Sequence, residues 1–490
     1  MEIFRTKSVE QSIRDTEAPE HQLRKRLTAT DLTVFGIGVI VGTGIFVLTG
    51  QVAKTMAGPA VAVSFVVAGI VCGLAALCYA EFASTIPVAG SAYTFAFATL
   101  GEFPAWVIGW DLTLELALAA AVVAVGWSGY FASMLSSIGV HLPNAIAGDN
   151  PVVNVPAIAI VLILTLILVV GIKVSSRVNL ILVATKIAVV LLVIVAGLFF
   201  VKAANYTPFI PEPVPTPQVG GLKAPLLQVL FGVTPVAFGV LGIFSAAAIV
   251  FFAFIGFDIV ATAAEETINP QRDVPRGIIG SLAICTALYV AVSLVVVGMQ
   301  RYDRLSVSAP LSDAFTSVGF AWLATIISIG ALAGLTTVVL VLLLGQTRVL
   351  FAMCRDGLLP RSLAKVHPRF GTPARLTIIV GVVAMALAGF VSFGELAELV
   401  NIGTLFAFVL VSIGVVVLRR TRPDLPRGFR APLVPVLPIL SVLACFYLML
   451  NLPVETWLRF LIWMAIGVIV YFVYGYRHSR TATPWVKSDD

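Results

Sequence analysis

The chain has 490 residues, of which 59% are hydrophobic and only 11% charged, with a mean hydropathy of +1.03. Soluble domains carry about 25% charged residues, so a soluble enzyme is excluded and a polytopic helical membrane protein remains. The formal charge of +6 is distributed so that it reports membrane orientation and gives no reason to expect a nucleic-acid partner.

Residues 1–27 form a polar tail with no cleavable leader, so the first span itself directs insertion. Crossing about 30 Å of hydrocarbon takes roughly 20 helical residues. Twelve apolar stretches are predicted to span: 31–54, 61–85, 104–134, 156–173, 178–201, 244–266, 277–299, 319–351, 375–392, 396–418, 434–452 and 456–476. A short stretch, 90–100, leads into the third. Thr30-Asp31 suits the N-cap of span one, and Pro104 and Pro156 suit the first turns of spans three and four. The run Leu305-Ser306-Val307-Ser308-Ala309-Pro310 reads as an external gate segment. Arg419-Arg420-Thr421-Arg422-Pro423-Asp424 reads as a basic loop placed to touch anionic lipid. Residues 477–490 form a second polar tail.

With the N-terminus inside, 24 of the 31 lysines and arginines fall on cytoplasmic segments. Six are external (Lys54, Lys202, Lys223, Arg301, Arg304 and Arg459), and Lys186 lies within a span. This positive-inside bias puts both termini in the cytoplasm. Cys72, Cys78, Cys285, Cys354 and Cys445 lie in apolar surroundings without metal-type spacing and read as small buried hydrophobes. His21, His141, His367 and His478 fall in tails and loops. No nucleophile–His–acid set or metal-ligand cluster lies within the spans, so no catalytic residue, metal or organic cofactor is expected.

Residues 28–476 form one membrane domain. The Pro-rich stretch Pro208-Phe209-Ile210-Pro211-Glu212-Pro213 sits between spans five and six, where a repeat boundary belongs. Repeat one then covers about 31–201 and repeat two about 244–418, with helices 11 and 12 (about 434–476) as extras. Five spans per unit is an odd number, so the second copy enters from the opposite face and the repeats are inverted. Each unit opens with a breakable helix: Phe35-Gly36-Ile37-Gly38-Val39-Ile40-Val41-Gly42-Thr43-Gly44-Ile45-Phe46 in the first, Phe251-Phe252-Ala253-Phe254-Ile255-Gly256-Phe257-Asp258 in the second. Interruptions at matching places in two halves point to a transporter's midplane substrate site, because freed backbone groups in lipid must line a cavity or meet a ligand.

Past the first break, Gly42, Thr43 and Gly44 would present unpaired amides at a positive helix end, which attracts a carboxylate, with the Thr43 hydroxyl as a further donor. Carbonyls left near Val39, Ile40 and Val41 would attract an ammonium, and Phe252, Ala253, Phe254, Ile255 and Gly256 would add more. Carboxylate beside ammonium describes an α-amino acid. The competing reading for Gly38 and Gly42 is a small-xxx-small helix contact. The aromatic flank of span six, Phe252 and Phe254 included, would either gate the pocket or, for one or two of the four phenylalanines, face lipid. Asp258 is costly within a span, and stands either as a substrate or proton contact or as a terminus cap. Lys186 is too deep to snorkel; an ammonium held away from water gives up its proton more readily and can replace a coupling cation. Its alternative is a permanent ion pair with Glu115 or another acid. Glu115 would tune the cavity for basic side chains, take part in protonation, or pair across helices. Asp111 and Glu102, nearer the cytoplasm, are expected to be wet.

Leu32-Thr33-Val34-Phe35-Gly36-Ile37-Gly38, followed by Gly42-Thr43-Gly44-Ile45-Phe46, resembles the first span of the amino acid–polyamine–organocation superfamily. Its bacterial cationic-amino-acid-transporter-like members are the nearest match. The resemblance continues in Pro87-Val88-Ala89-Gly90-Ser91-Ala92-Tyr93, Ala263-Ala264-Glu265-Glu266-Thr267-Ile268-Asn269-Pro270, Gly357-Leu358-Leu359-Pro360 and His367-Pro368-Arg369-Phe370-Gly371-Thr372-Pro373, and runs from about residue 22 to 430. It implies a twelve-helix, all-α LeuT-like fold with a five-plus-five inverted repeat, broken helices 1 and 6 and two peripheral helices. It further implies amino-acid transport across the plasma membrane, the carboxylate at Thr43 and Gly44, and the ammonium at carbonyls of Ile40, Phe252, Ala253 and Ile255. Lys186 matches the lysine that takes the place of a sodium ion in proton-coupled members, which makes the proton the expected coupling ion. Uptake of cationic or small neutral L-amino acids by proton symport is the leading expectation, with exchange as the alternative and an amino-acid sensor or channel as the different class. A small accessory membrane subunit leaves no readable signal.

Overall fold

The computed structural model describes residues 26–479 apart from 87–90, 148–150, 172–175 and 217–220. Residues 1–25 and 480–490 of the two tails, His21, Lys173 and the Pro87-Val88-Ala89-Gly90 part of the second motif lie outside the described residues. The first helix, α1 (Ala29–Ile40), opens with a capping box: the Thr28 amide donates to Asp31 Oδ2 at 2.9 Å, and the Asp31 amide donates to Thr28 Oγ1 at 3.4 Å. The cap is therefore Thr28 and not Thr30, because only Thr28 stands three residues before the reciprocating acid.

After two non-helical residues, Val41 and Gly42, the chain turns helical again at Thr43 and continues as α2 (residues 44–57), which contains two wide π-type turns. A single 3-10 turn, Gly58–Ala60, joins it to α3 (Val61–Thr85). There follow α4 (Ser91–Thr99), α5 (Glu102–Ser137), α6 (Val155–Val170) and α7 (Ser176–Gly197). The segment between α7 and the next long helix carries a two-residue pairing of β1 (Val214–Pro215) with β2 (Val236–Ala237) and a short helix, α8 (Leu226–Leu230). Next come α9 (Gly239–Val250), the 3-10 turns Phe251–Phe254 and Asp258–Glu266, α10 (Pro270–Met299), α11 (Pro310–Ser317) and α12 (Ala321–Arg355). The chain ends with α13 (Ala374–Phe390), α14 (Phe393–Thr421), α15 (Val436–Leu450) and α16 (Val454–Val470).

Among the described residues eight helical segments are long and apolar enough to cross a membrane and four apolar helices are shorter. Span one is not a single unit: its first half is the 12-residue α1, and its second half runs on into span two as one helical segment, Gly44–Thr85. The expected spans otherwise coincide with helices whose ends shift by a few residues, most at α10. That helix starts seven residues earlier than expected, because Pro270 sits in its first turn and Pro275 lies inside it without ending it.

The long helices pack in pairs. α5 runs against α12 and α3 against α10; α1 lies on α10 and α9 on α3; α14 covers α5, and α7 covers α12. α15 and α16 attach through α14 and leave Leu440, Leu443, Leu461 and Ile462 at least half exposed. Apolar surface of that extent belongs against lipid, and the chain is a multi-pass membrane protein. All five cysteines are buried.

The basic run 419–424, at the end of α14 and just beyond it, does not all face lipid as expected. Arg419 turns inward, its Nε and Nη2 donating to Glu81 Oε1 and Oε2 at 2.8 and 2.7 Å. The Ala431 amide donates to Glu81 Oε2 at 2.8 Å, and Arg427 lies 3.4 Å from Oε1. Glu81 on α3 is 1% exposed, and a carboxylate so enclosed needs a bidentate cation and extra donors. Replacing Glu81 by Ala leaves Arg427 buried without its charge partner, and is expected to destabilise the protein by about 3 kcal/mol. Thermal unfolding in detergent measures this, with Glu81→Gln losing less.

Candidate functional site

Both breaks named from the sequence are present. α1 stops at Ile40; Val41 is extended (φ −71°, ψ 93°), and the amides of Ile45 and Phe46 both reach back to the Gly42 carbonyl at 3.3 Å to restart the helix. The amides that open such a helix have no preceding turn to donate to. In the second break α9 tightens into the turn Phe251–Phe254, Ile255 is extended (ψ 136°), and Gly256 takes φ +115°. A left-handed angle of that size requires glycine.

The two breaks cross in contact. A Cβ placed on Gly44 would lie 2.3 Å from the Ala253 Cβ and 2.4 Å from its Cα, and one on Gly256 would lie 2.6 Å from Val39 Cγ1. Gly38 closes on Val183 of α7, where a Cβ would be 2.9 Å from Cγ2, so the helix-contact reading holds for Gly38. Gly42 instead opens towards the cavity described below.

Four side chains donate into carbonyls at or beside these breaks. Tyr289 of α10 reaches the carbonyls of Ile40 at 2.7 Å and Ala253 at 2.6 Å, one from each break. Asn401 of α14 donates to Ala248 and Ile249 at 2.8 and 2.9 Å. Tyr130 of α5 donates to Phe46 at 2.6 Å. Lys186 of α7 donates to the Gly38 carbonyl. Each donor is fully enclosed. Of these, only Lys186 is singled out by sequence; Tyr289 and Asn401 are polar groups within apolar spans, each of which must find a partner there, and that is the signal that would have found them.

A small, partly open cavity lies where the breaks meet. Ile40, Gly42, Thr43 and Gly44 line it from the first break, Phe252 and Ile255 from the second. Ala119 and Val123 of α5 and Val338 and Leu342 of α12 form apolar walls. The Thr43 hydroxyl, 1% exposed, has no hydrogen-bond partner among the described residues. This arrangement offers amides and a hydroxyl on one side, carbonyls on the other, and a hydrocarbon surface between.

The remaining candidates lie elsewhere. Phe254 does not line the cavity; its ring packs edge-on to Tyr289 at 5.2 Å and Phe65 at 6.4 Å. None of Phe251, Phe252, Phe254 and Phe257 faces lipid, since none is more than 6% exposed. Ala253 joins through its carbonyl, and Gly256 through its contact with Val39. Lys186 has no carboxylate partner among the described salt bridges; its stem lies along Gly334 of α12, so the alternative reading, a pair with Glu115, is not what these contacts show. Glu115 instead neighbours Asp258, Asp111 and Thr404, and neither Glu115 nor Asp258 lines the cavity. Asp258 opens the 3-10 turn Asp258–Glu266, where a carboxylate complements the amide end.

Asp111 and Glu102 are not wet. Asp111 is fully buried beneath α14, where a Cβ on Gly403 would be 2.7 Å from its Oδ1, and neither of its oxygens has a hydrogen-bond partner among the described residues. Glu102 is 3% exposed and accepts from Tyr471 at 3.0 Å and Ser479 at 2.7 Å. Leu305 of the expected gate segment is buried, and its carbonyl accepts from Lys54 Nζ at 3.0 Å, which ties the segment to α2.

Gly44→Ala is expected to destabilise the protein by about 1–3 kcal/mol, since backbone and not a flexible side chain must yield. Tyr289→Phe is expected to cost about 1 kcal/mol through the lost donor. Denaturation of the purified variants in detergent checks both.

A family model described as "Amino acid permease" matches residues 27–474. The branched-chain amino acid permease BcaP of Bacillus subtilis (strain 168) is 51% identical over 98% of each chain. The methylthioribose transporter of the same organism is 48% identical over 97% of this chain and 98% of its own. The vacuolar cationic amino acid transporter 4 of Arabidopsis thaliana is 33% identical over 94% of this chain and 93% of its own.

Proposed function

The chain belongs to the amino acid permease family of the amino acid–polyamine–organocation superfamily, and on that premise we propose that it is a secondary active transporter importing neutral L-amino acids with apolar side chains. The cavity carries this reading. Its polar groups are backbone amides, the Thr43 hydroxyl and carbonyls, suited to a carboxylate and an ammonium, while the walls facing the side chain are Ala119, Val123, Val338 and Leu342. A cationic side chain would need an acid there, and Glu115 and Asp258 stand outside the lining. The match to a branched-chain amino acid permease over nearly the whole chain points the same way. The carboxylate would sit at Gly42, Thr43 and Gly44, and the ammonium at the carbonyls of Ile40, Phe252, Ala253 and Ile255.

The architecture we propose is twelve spans with both termini cytoplasmic, in the plasma membrane, and an inverted five-plus-five repeat. Helix packing supports it. Exchanging each first-half helix for its second-half counterpart turns α1 on α10 into α9 on α3, α5 with α14 into α12 with α7, and α5 with α13 into α12 with α6, and all six pairs pack. Such symmetry around a midplane site suits alternating access.

Proton symport through Lys186 is the coupling we propose. Its enclosed ammonium holds the end of α1, so loss of its proton removes a charge and changes a tether to the first break. The alternative is exchange of one amino acid for another, without net proton flux. Lys186→Ala in proteoliposomes is expected to abolish uptake driven by an imposed pH gradient while leaving counterflow; undiminished accumulation removes Lys186 from coupling.

A panel of ligands in a thermal-shift assay tests the substrate. Leucine, isoleucine and valine are expected to stabilise the protein, and arginine and lysine to leave it unchanged. Stabilisation by arginine alone would return the site to the cationic class. Stabilisation by methylthioribose and by no amino acid would move the chain to the function that its second relative's name describes.

A further inference from the structure

The segment between α7 and α9 exposes large apolar side chains on and around α8 that the described residues leave uncovered. Leu222, Val229, Leu230, Phe231 and Val233 are 56, 49, 63, 75 and 43% exposed, and together they form the tip carried by α8. Large apolar side chains clustered in this way are not the scattered singles of a water-facing loop.

The tip is held in place. At its base β1 pairs with β2, and the Phe238 amide donates to the Met56 carbonyl at the end of α2 at 2.8 Å. At the other side it is stitched to the turn between α15 and α16: Leu226 N–H donates to the Leu452 carbonyl at 2.9 Å, Val454 N–H to the Ala224 carbonyl at 3.0 Å, and Pro225 bridges Pro453. A tight turn joining two consecutive spans lies at the boundary between hydrocarbon and headgroups. The tip is fixed at that level, beside the outward faces of α15 and α16, where Leu458, Leu461 and Ile462 are also exposed. Its apolar surface therefore continues the lipid-facing surface of the two helices. Lys223 is exposed within the same tip, and a lysine at that depth reaches phosphate while its stem stays in hydrocarbon.

We infer that residues 221–233 form an interfacial anchor, with Leu222, Val229, Leu230, Phe231 and Val233 inserted among the upper acyl chains of the leaflet at the α15–α16 turn and Lys223 against phospholipid headgroups. This inference rests on α15 and α16 crossing the bilayer and is independent of what the protein carries. A short amphipathic element binds an interface through its buried apolar area together with charge attraction to anionic lipid. Here the element is covalently positioned, so it needs only modest affinity to stay seated.

The five native cysteines are buried, so Phe231→Cys gives one accessible thiol for an environment-sensitive fluorophore. In phospholipid nanodiscs open on both faces, lipids brominated on the upper acyl chain are expected to quench the label severalfold more than aqueous iodide does. Quenching by iodide with none by brominated lipid would place the tip in water and overturn the inference. Label–label energy transfer in discs holding two copies, with protection from both quenchers, would also overturn it, by identifying a second copy as the occupant. The same label at Val229→Cys repeats the measurement should the first variant fold poorly.

Discussion

A helix interrupted inside a membrane must still give every freed peptide group a partner, and much of this structure follows from that requirement. Hydrocarbon supplies no hydrogen bonds, so an unpaired carbonyl at the end of α1 or α9 is tolerable only where a side chain, a neighbouring turn or a ligand meets it. Lys186, Tyr289 and Asn401 come from three different helices and each points at such a carbonyl, while Tyr130 from a fourth donates to Phe46 in the opening turn of α2. The long helices α5, α7, α10 and α14 are thus positioned as the frame that holds the breaks open, beyond serving as hydrophobic packing. The groups this frame leaves over, the opening amides of α2 and the Thr43 hydroxyl, are the ones that line the cavity.

Close approach is the second half of the design. Gly44 against Ala253 and Gly256 against Val39 bring the two unwound stretches within backbone contact, so their polar groups face a single small volume. Larger residues at either place would separate them and dilute the site. Electrostatics is kept apart from this volume: Glu81 is neutralised by Arg419 and Arg427 at the far end of α3, and Glu115, Asp111 and Asp258 gather outside the cavity lining. The walls of that volume, Ala119, Val123, Val338 and Leu342, are consequently hydrocarbon.

The breaks were legible because glycine in an apolar span has few other uses, and the capping and proline signals placed most helix ends within a few residues. Span one was harder to delimit, since the wide turns of α2 carry the helix on towards α3 with no break signal that composition reveals. Polarity alone misjudged Asp111 and Glu102. Both are enclosed by elements distant in sequence, Gly403 in one case and Tyr471 with Ser479 in the other, and nothing local announces that. Tyr289 and Asn401 were missed for a related reason: a tyrosine among leucines looks like filler until its hydroxyl is seen to face two carbonyls.

The Tyr289 hydroxyl carries one hydrogen and stands within reach of two acceptors, on Ile40 and Ala253. At any instant one of those acceptors goes without it. The resting protein is therefore divided between two bonding patterns that interconvert by a small hydroxyl rotation, and no rearrangement of its own atoms can satisfy both. An ammonium placed at those two carbonyls, as the proposed substrate site has it, would end that alternation and be felt by both halves of the molecule at once.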